Sequence, residues 1–101
     1  MKLTDKAWAC LKYELEDLAE SSIDTALIEA IKLRVEADEE YCKDMNEIYS
    51  EVQDPRGLDT MDRDILYDFV AMELGFKHWP LYMDSEEYTN QFYKALEKRF
   101  V

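Results

Sequence analysis

The absence of helix-breaking residues from the first half of the chain constrains the fold most strongly. The first proline is Pro55 and the first glycine is Gly57, in a chain of 101 residues with only two of each. Because proline and glycine are the strongest interruptions of a helix, residues 1–54 can form long helices. The same stretch is rich in Ala, Leu, Glu and Lys, which favour helix, and it shows no strand-like alternation. We therefore predict an all-α fold.

The spacing of apolar residues divides the chain into about four helices. Steps of three and four residues place an apolar stripe on one face of each helix. These stripes are Leu3, Ala7, Trp8, Leu11, Leu15 and Leu18; then Ile28, Ile31, Val35, Cys42, Met45, Tyr49 and Val52; then Ile65, Leu66, Phe69, Val70 and Leu74; and finally Tyr88, Phe92, Leu96 and Phe100. We expect residues 1–101 to form a single helical domain with one core.

Capping residues predict where the helices begin and end. A side-chain oxygen at the start of a helix satisfies a free backbone N–H group, and a glycine or proline ends the helix. The predicted signals are Thr4 for the first helix, Ser21 with Asp24 as a capping box for the second, the turn at residues 54–57, Asp59 or Thr60 for the third, the stop at Gly75, and Asp84 or Ser85 for the fourth.

The second helix is expected to be a long spine against which the others pack. Its pattern continues to about residue 53, which gives a rod of about 45 Å. Because a domain of this size should have a radius of gyration near ~13 Å, the helix either breaks near Asp38 or is covered by other helices in turn. A hairpin at Ser21-Ser22 lays the first helix along residues 22–35 and leaves the rest of the spine to the third helix. This places Cys10 beside Leu33, so we expect Cys10 and Cys42 to be reduced thiols.

The net charge excludes several classes of partner. The chain has 24 acidic residues and 12 lysines and arginines, for a formal net charge of −12. Nucleic-acid phosphates and anionic membranes are bound by basic surfaces, so neither is expected to bind this chain directly. No run of 18 apolar residues and no signal peptide is present, and we expect a cytoplasmic protein without a membrane span.

The acidic excess is concentrated in the middle of the chain. Residues 36–73 hold thirteen acidic and three basic residues, a net charge of −10. Within this region Glu36, Glu40, Asp44, Glu47, Glu51 and Asp54 follow steps of three and four, which predicts one row of carboxylates over about 27 Å of helix. Like charges at these steps destabilise a helix by a few tenths of a kcal/mol per pair. The row therefore suggests a surface that docks on a basic partner, although a solvated face explains it equally well.

No pattern of residues predicts a metal site, a cofactor site or a catalytic site. His78 is the only histidine, and the two cysteines lack the spacing of zinc ligands. The acidic cluster of Asp59, Asp62, Asp64 and Asp68 fits the N-terminal end of a helix dipole better than a calcium loop. Phosphate-binding glycine loops and nucleophile motifs are absent from the sequence, and we do not expect an enzyme.

Residues 76–83 form an aromatic connector between the third and fourth helices, with Trp79 and Tyr82 among its members. Aromatic residues and methionine are enriched at the centres of protein interfaces. They also close the open end of a small helical bundle. We favour the second interpretation for the connector as a whole, and both remain open at this point.

Two hypotheses for function follow from these features. In the first, the chain is a small acidic inhibitor that binds the basic nucleic-acid-binding cleft of a target enzyme, through Glu36, Glu40, Asp44, Glu47, Glu51, Asp62, Asp68, Trp79 and Tyr82. In size and charge the chain resembles small acidic helical inhibitors of phages and bacteria, which include anti-CRISPR proteins, DNA mimics and nuclease immunity proteins. No motif matches one of these families residue for residue. In the second hypothesis, an adaptor or homodimer pairs through an apolar seam at Val35, Cys42 and Tyr49.

Overall fold

The protein folds into a bundle of α-helices, which confirms the predicted all-α class. The computed structural model describes residues 1–51 and 60–101, and within these ranges there are five helices and no strand. The helices are α1 (Asp5–Ala19), α2 (Thr25–Ala37), α3 (Glu39–Glu51), α4 (Thr60–Glu73) and α5 (Glu86–Glu97). None of the helices in these ranges is both long and apolar enough to cross a membrane. The predicted turn at residues 54–57, Val52 and Asp59 lie outside the described residues.

Helix α1 begins and ends with well-defined caps. Thr4 is the N-cap, and its hydroxyl oxygen accepts a hydrogen bond from the Ala7 N–H group at 3.1 Å. At the other end Glu20 has the left-handed backbone conformation, with φ of 52°. The N–H groups of Glu20 and Ser21 donate to the carbonyls of Asp17 and Glu16, both at 3.2 Å. These two bonds close the helix with a Schellman motif, in which glycine is the usual residue.

The long second helix predicted from the sequence is two helices, α2 and α3, that meet at Asp38. The Asp38 N–H group still bonds to the carbonyl of Arg34 at 3.3 Å, but its ψ of 93° leaves the helical region. Its carboxylate accepts a bond from the Tyr41 N–H group at 3.0 Å, which caps the start of α3. One residue therefore ends α2 and begins α3. A continuous rod of about 45 Å would exceed the longest dimension of the molecule, which is 40 Å.

The break at Asp38 changes which helices pack together. Helix α1 packs along α3, and α4 packs along α2, the reverse of the pairing expected from a simple hairpin. The Thr4 N–H group donates to Asn46 Oδ1 at 2.9 Å, and Lys6 Nζ reaches the Ser50 carbonyl at 3.5 Å. Residue numbers rise together along these contacts, so α1 and α3 run parallel. The bend returns α3 to the side of α1.

Both cysteines are buried and free, in agreement with the reduced state expected from the sequence. The reason differs from the hairpin argument. Cys42 Sγ lies 3.8 Å from the carbonyl oxygen of Met1, whereas Cys10 lies near the side chain of Tyr49. The two thiols thus lie at different levels along the parallel pair of α1 and α3. Burial raises the pKa of the Cys42 thiol, which favours its neutral form.

The N-cap of α2 is Asp24, three residues after Ser21, which the predicted capping box would make the N-cap. Asp24 itself is the N-cap, because its Oδ1 accepts a bond from the Leu27 N–H group at 2.7 Å. The C-terminal segment closes over this point. The Asp24 N–H group donates to the Arg99 carbonyl at 2.7 Å, and the Val101 N–H group donates to the Ser22 carbonyl at 3.0 Å. The Arg99 guanidinium also pairs with the Asp24 carboxylate and holds the pKa of that carboxyl below its usual value.

The apolar stripes meet in a single core, as the spacing predicts. Each helix contributes residues that are almost completely buried, and they include Ala7, Leu11 and Leu15 of α1; Leu27, Ile31 and Val35 of α2; Cys42, Met45 and Tyr49 of α3; Leu66, Val70 and Ala71 of α4; and Phe92 and Leu96 of α5. Gly75, with φ of 88°, ends α4 as predicted. Ser85 caps α5 through a bond from the Tyr88 N–H group at 3.1 Å.

Candidate protein-binding site

The exposed face of α3 carries three carboxylates. Glu40, Asp44 and Glu47 are exposed and follow the i, i+4, i+7 spacing of one helix face, while Met45 and Tyr49 on the other side are fully buried. Among residues 1–51 and 60–101, no lysine or arginine forms an ion pair with these three carboxylates. The central part of the predicted carboxylate row therefore exists as an exposed negative surface.

Glu36 does not belong to this surface. The break at Asp38 places it on α2, and its side chain is only 10% exposed. Its Oε2 accepts a hydrogen bond from the Leu3 N–H group at 2.9 Å, and Lys2 Nζ lies 4.0 Å from Oε1. Glu36 thus fastens the N-terminal segment and is removed from the row that the sequence predicts. Glu51 ends α3, but its side chain, like the whole of Asp54, is outside the described part of the chain.

The N-terminal ends of α3 and α4 enclose a cleft of about 280 Å³ with an acidic rim. This acidic cleft is lined by Asp38, Glu40, Tyr41, Asp44, Asp62 and Ile65. Tyr41 fixes its geometry, because the hydroxyl donates to the Asp62 carbonyl at 3.0 Å and the ring packs edge-on against Phe69 at 5.7 Å. Burial, followed by the charges of Asp62 and neighbouring groups, raises the pKa of Tyr41, so its hydroxyl is kept neutral.

The chemistry of the acidic cleft fits an organic cation better than a metal ion. Its carboxylates stand around the rim, and nowhere in the described ranges do three or more His, Cys, Asp or Glu side chains converge as metal ligands would. Separate carboxylates around a partly apolar floor suit the ammonium groups of lysine and the guanidinium groups of arginine.

Asp68 of α4 and Trp79 of the connector lie together and take part in the structure of the bundle. Asp68 Oδ1 accepts a hydrogen bond from the backbone N–H group of Trp79 at 3.1 Å. The half-buried Trp79 ring packs against Phe92, with centroids 4.7 Å apart, and against Tyr67 at 5.3 Å. Trp79 therefore closes the end of the bundle, which is the interpretation favoured for the connector from the sequence.

Tyr82, by contrast, lies at an exposed tip of the same connector. Leu81, Tyr82 and Met83 are 62%, 96% and 80% exposed. Asp84 holds this tip in place, because it accepts a bond from the Leu81 N–H group at 2.7 Å and its Oδ2 lies 3.0 Å from Nε2 of His78. The Leu81 bond, and then the His78 contact, lower the pKa of the Asp84 carboxyl. The connector thus combines a buried plug with an exposed apolar tip.

A second cleft, of about 160 Å³, lies beside the connector. This aromatic cleft is lined by Asp64, Tyr67, Asp68, His78, Trp79 and Leu81. Helix α4 separates it from the acidic cleft, since Asp62 and Ile65 line one side while Asp64 and Tyr67 line the other. Asp62 and Asp68, both predicted as partner-binding residues, consequently face different clefts.

A buried charge that supports this part of the molecule was not predicted from the sequence. Glu14 of α1 is only 5% exposed, and its Oε1 lies 3.3 Å from Arg63 Nε and accepts a bond from the Tyr67 hydroxyl at 3.3 Å. The signal was present, because Glu14 follows Ala7 by seven residues and Leu11 by three, on the apolar stripe of α1. Asp38 and Asp64 were also missed as cleft residues, since their position depends on how α3 and α4 pack.

Geometry alone assigns these surfaces. Comparisons of the chain with protein-family models, with curated proteins and with solved structures find no match. The observations define a helical bundle that presents an acidic cleft and an aromatic cleft on either side of α4.

Proposed function

We propose that the protein is a small acidic inhibitor that binds the basic nucleic-acid-binding cleft of a target enzyme. It acts by occupying that cleft as a nucleic-acid mimic, and it performs no catalysis itself. The observation that carries the proposal is the exposed face of Glu40, Asp44 and Glu47, which has no ion pair within residues 1–51 and 60–101 and borders the acidic cleft. A phage protein of the anti-CRISPR type or a nuclease immunity protein, acting in the cytoplasm, has this kind of task.

The arrangement of charge supports binding to a surface that normally holds phosphates. Side chains at i, i+4 and i+7 of a helix are neighbours with Cβ atoms about 5–6 Å apart, so the three carboxylates form a regular negative row. A groove lined with lysine and arginine attracts such a row at long range, which raises the association rate and favours basic partners over others. Helix α4 extends the negative surface through Asp62 and the exposed Asp64.

The alternative surface for an adaptor or homodimer is not accessible. Pairing of the second helix with another chain requires its apolar seam to be partly exposed, but Val35, Cys42 and Tyr49 are each 0% exposed. These side chains form the centre of the intramolecular core. An interface there would require the bundle to unfold, so we propose no function through this seam.

Charge reversal on α3 tests the proposed function. We expect the triple variant Glu40→Lys, Asp44→Lys, Glu47→Lys to lose binding by about 100-fold, because three close charge pairs at about 1 kcal/mol each would be lost. The immobilised wild-type chain is used to capture a protein from the host lysate with elution by increasing salt, and the captured protein is identified and purified. Its binding to a labelled DNA or RNA duplex is then measured in competition with each variant.

The matched control reverses three exposed acids elsewhere, Asp17→Lys, Glu29→Lys and Glu97→Lys. Each replacement of an acidic residue by lysine raises the net charge by two, so both triple variants have a net charge of −6 instead of −12. The control should compete with the duplex as the wild type does. The proposal fails if the α3 variant competes equally well, or if the captured protein has no affinity for nucleic acid.

A further inference from the structure

The aromatic cleft has the size and lining of a site for one side chain. Its volume of about 160 Å³ is below the range of about 300–1,000 Å³ typical of small-molecule pockets. Three aromatic rings, from Tyr67, His78 and Trp79, form its walls, and the carboxylates of Asp64 and Asp68 stand beside them. The faces of tyrosine and tryptophan rings attract cations, as carboxylates do, and neither group favours an anion.

The aromatic side chains of the cleft are held in place by contacts with residues that do not line the cleft. The Tyr67 hydroxyl is turned inward to the Glu14 carboxylate, and the Trp79 ring packs on Phe92. The His78 ring stacks on Tyr88 with centroids 5.2 Å apart and planes inclined by 23°. Walls fixed in this way lose little conformational entropy when a ligand enters, which favours binding.

The two carboxylates have different roles. Asp68 accepts a hydrogen bond from the backbone N–H group of Trp79 and so keeps the connector against α4. Asp64 is exposed, and within the described ranges it forms no ion pair. A planar guanidinium group can stack on an aromatic face while its N–H groups donate to a carboxylate, whereas the compact ammonium group of lysine lacks this flat face.

The cleft also has a suitable position on the proposed partner-binding surface. Helix α4 contributes Asp62 to the acidic cleft and Asp64 to the aromatic cleft, so one partner lying across α4 reaches both. Leu81 lines the aromatic cleft and is followed in the chain by the exposed Tyr82 and Met83. A basic partner would therefore contact a cation site and, next to it in the chain, exposed apolar side chains.

We infer that the aromatic cleft binds the guanidinium group of an arginine side chain. The inference rests on the proposed function in one respect, namely that the arginine belongs to the same basic partner. The guanidinium stacks on a ring face that lines the cleft and donates to the Asp64 carboxylate, while Asp68 positions Trp79. The stem of the arginine side chain lies against Leu81.

Short peptides test this site without knowledge of the partner. The ¹⁵N-labelled full chain is titrated with acetyl-Gly-Arg-Gly-amide and, separately, with the same peptide carrying citrulline, which has the shape of arginine without its charge. We expect the arginine peptide to shift the indole N–H signal of Trp79, with a Kd in the millimolar range. The citrulline peptide and the corresponding lysine peptide should bind at least about tenfold more weakly, because each lacks the charge or the planar fork.

Variants then localise the effect. Asp64→Asn should weaken the arginine peptide about tenfold, as expected for loss of one charge-assisted hydrogen bond. Glu29→Gln, which removes the same charge from an exposed position on α2, should bind as the wild type does. Equal binding of arginine and citrulline, absence of any shift at Trp79, or an unaltered Kd in Asp64→Asn would each overturn the inference.

The peptide experiment is independent of the test of the proposed function. The variant Glu40→Lys, Asp44→Lys, Glu47→Lys keeps all residues of the aromatic cleft, so it should retain most of its affinity for the arginine peptide. Failure of partner capture with normal peptide binding rejects the inhibitor proposal alone. Normal competition with nucleic acid, combined with no arginine binding at Trp79, rejects the arginine site alone.

Discussion

At the scale of single residues, the buried carboxylate of Glu14 shows how a charge is tolerated in the core. It is 5% exposed and contacts the guanidinium of Arg63 and the hydroxyl of Tyr67. Desolvation of a carboxylate is unfavourable, and the opposite charge and the hydrogen bond offset it. Because Arg63 and Tyr67 belong to α4, the pair also joins α1 to the helix that lines both clefts.

We expect Glu14→Gln to lower the free energy of unfolding by about 2–3 kcal/mol, since the charge-assisted contacts that the buried Glu14 carboxylate makes with Arg63 and Tyr67 would be lost or weakened. Urea unfolding followed by circular dichroism measures the change. The control Glu29→Gln removes an exposed carboxylate and should shift stability by no more than about 0.5 kcal/mol. Equal stability of Glu14→Gln and the wild type would show that the ion pair contributes nothing net to the fold.

At the scale of helices, the decisive feature is the change of direction at Asp38. The apolar register passes through this point without interruption, because Val35 and Cys42 are seven residues apart and both are fully buried. Periodicity alone therefore cannot distinguish one rod from two helices. The carboxylate of Asp38 favours two helices over one rod, since it accepts a hydrogen bond from the Tyr41 N–H group and so caps the start of a new helix.

Asp38→Ala should destabilise the protein by about 1 kcal/mol, the usual loss for an N-cap aspartate. Amide exchange at Tyr41 should accelerate at the same time, because its N–H group loses the bond to the Asp38 carboxylate. Glu29→Ala, a substitution within α2 that removes the same charge, serves as the control and should leave exchange at Tyr41 unaltered. Faster exchange in both variants would point to a general loss of stability instead of loss of the cap.

At the scale of the whole molecule, buried phenols link stability to alkaline pH. Burial is the main cause that raises the pKa values of Tyr41 and Tyr49, and it raises that of Tyr67 from 10.0 to about 12. A group with a raised pKa in the folded state contributes stability that is complete below its unfolded pKa and is lost as pH rises through its folded pKa. These tyrosines therefore destabilise the fold above pH 10.

We expect the urea midpoint of the wild type to fall steadily between pH 10 and pH 12, as the unfolded state gains ionised tyrosines that the folded state excludes. Tyr67→Phe should start from a lower midpoint at pH 8, because the bond to Glu14 is lost, and should then fall less steeply between pH 10 and pH 12. Tyr82→Phe, altered at a site that is 96% exposed, should follow the wild type. An identical slope for Tyr67→Phe would contradict the assignment.

The candidate surface was only partly predictable from the sequence. Spacing placed Glu40, Asp44 and Glu47 on one face, and they share an exposed face of α3. The same spacing included Glu36, which the fold withdraws to bind the Leu3 N–H group. For the connector, composition alone could not separate the packed Trp79 from the exposed Tyr82, because orientation depends on contacts with α4 and α5.

The sequence by itself determined the helical class, the buried face of each helix and the concentration of negative charge in residues 36–73. These properties are local, since they depend on residues three or four positions apart. Only the tertiary structure decided that α3 lies along α1 and that Asp62 faces the acidic cleft. It also decided that Asp64 and Trp79 line the aromatic cleft. The physical reason is that the direction of each helix depends on the backbone angles of a few residues, such as Asp38. The clefts form only where helices with these directions pack together.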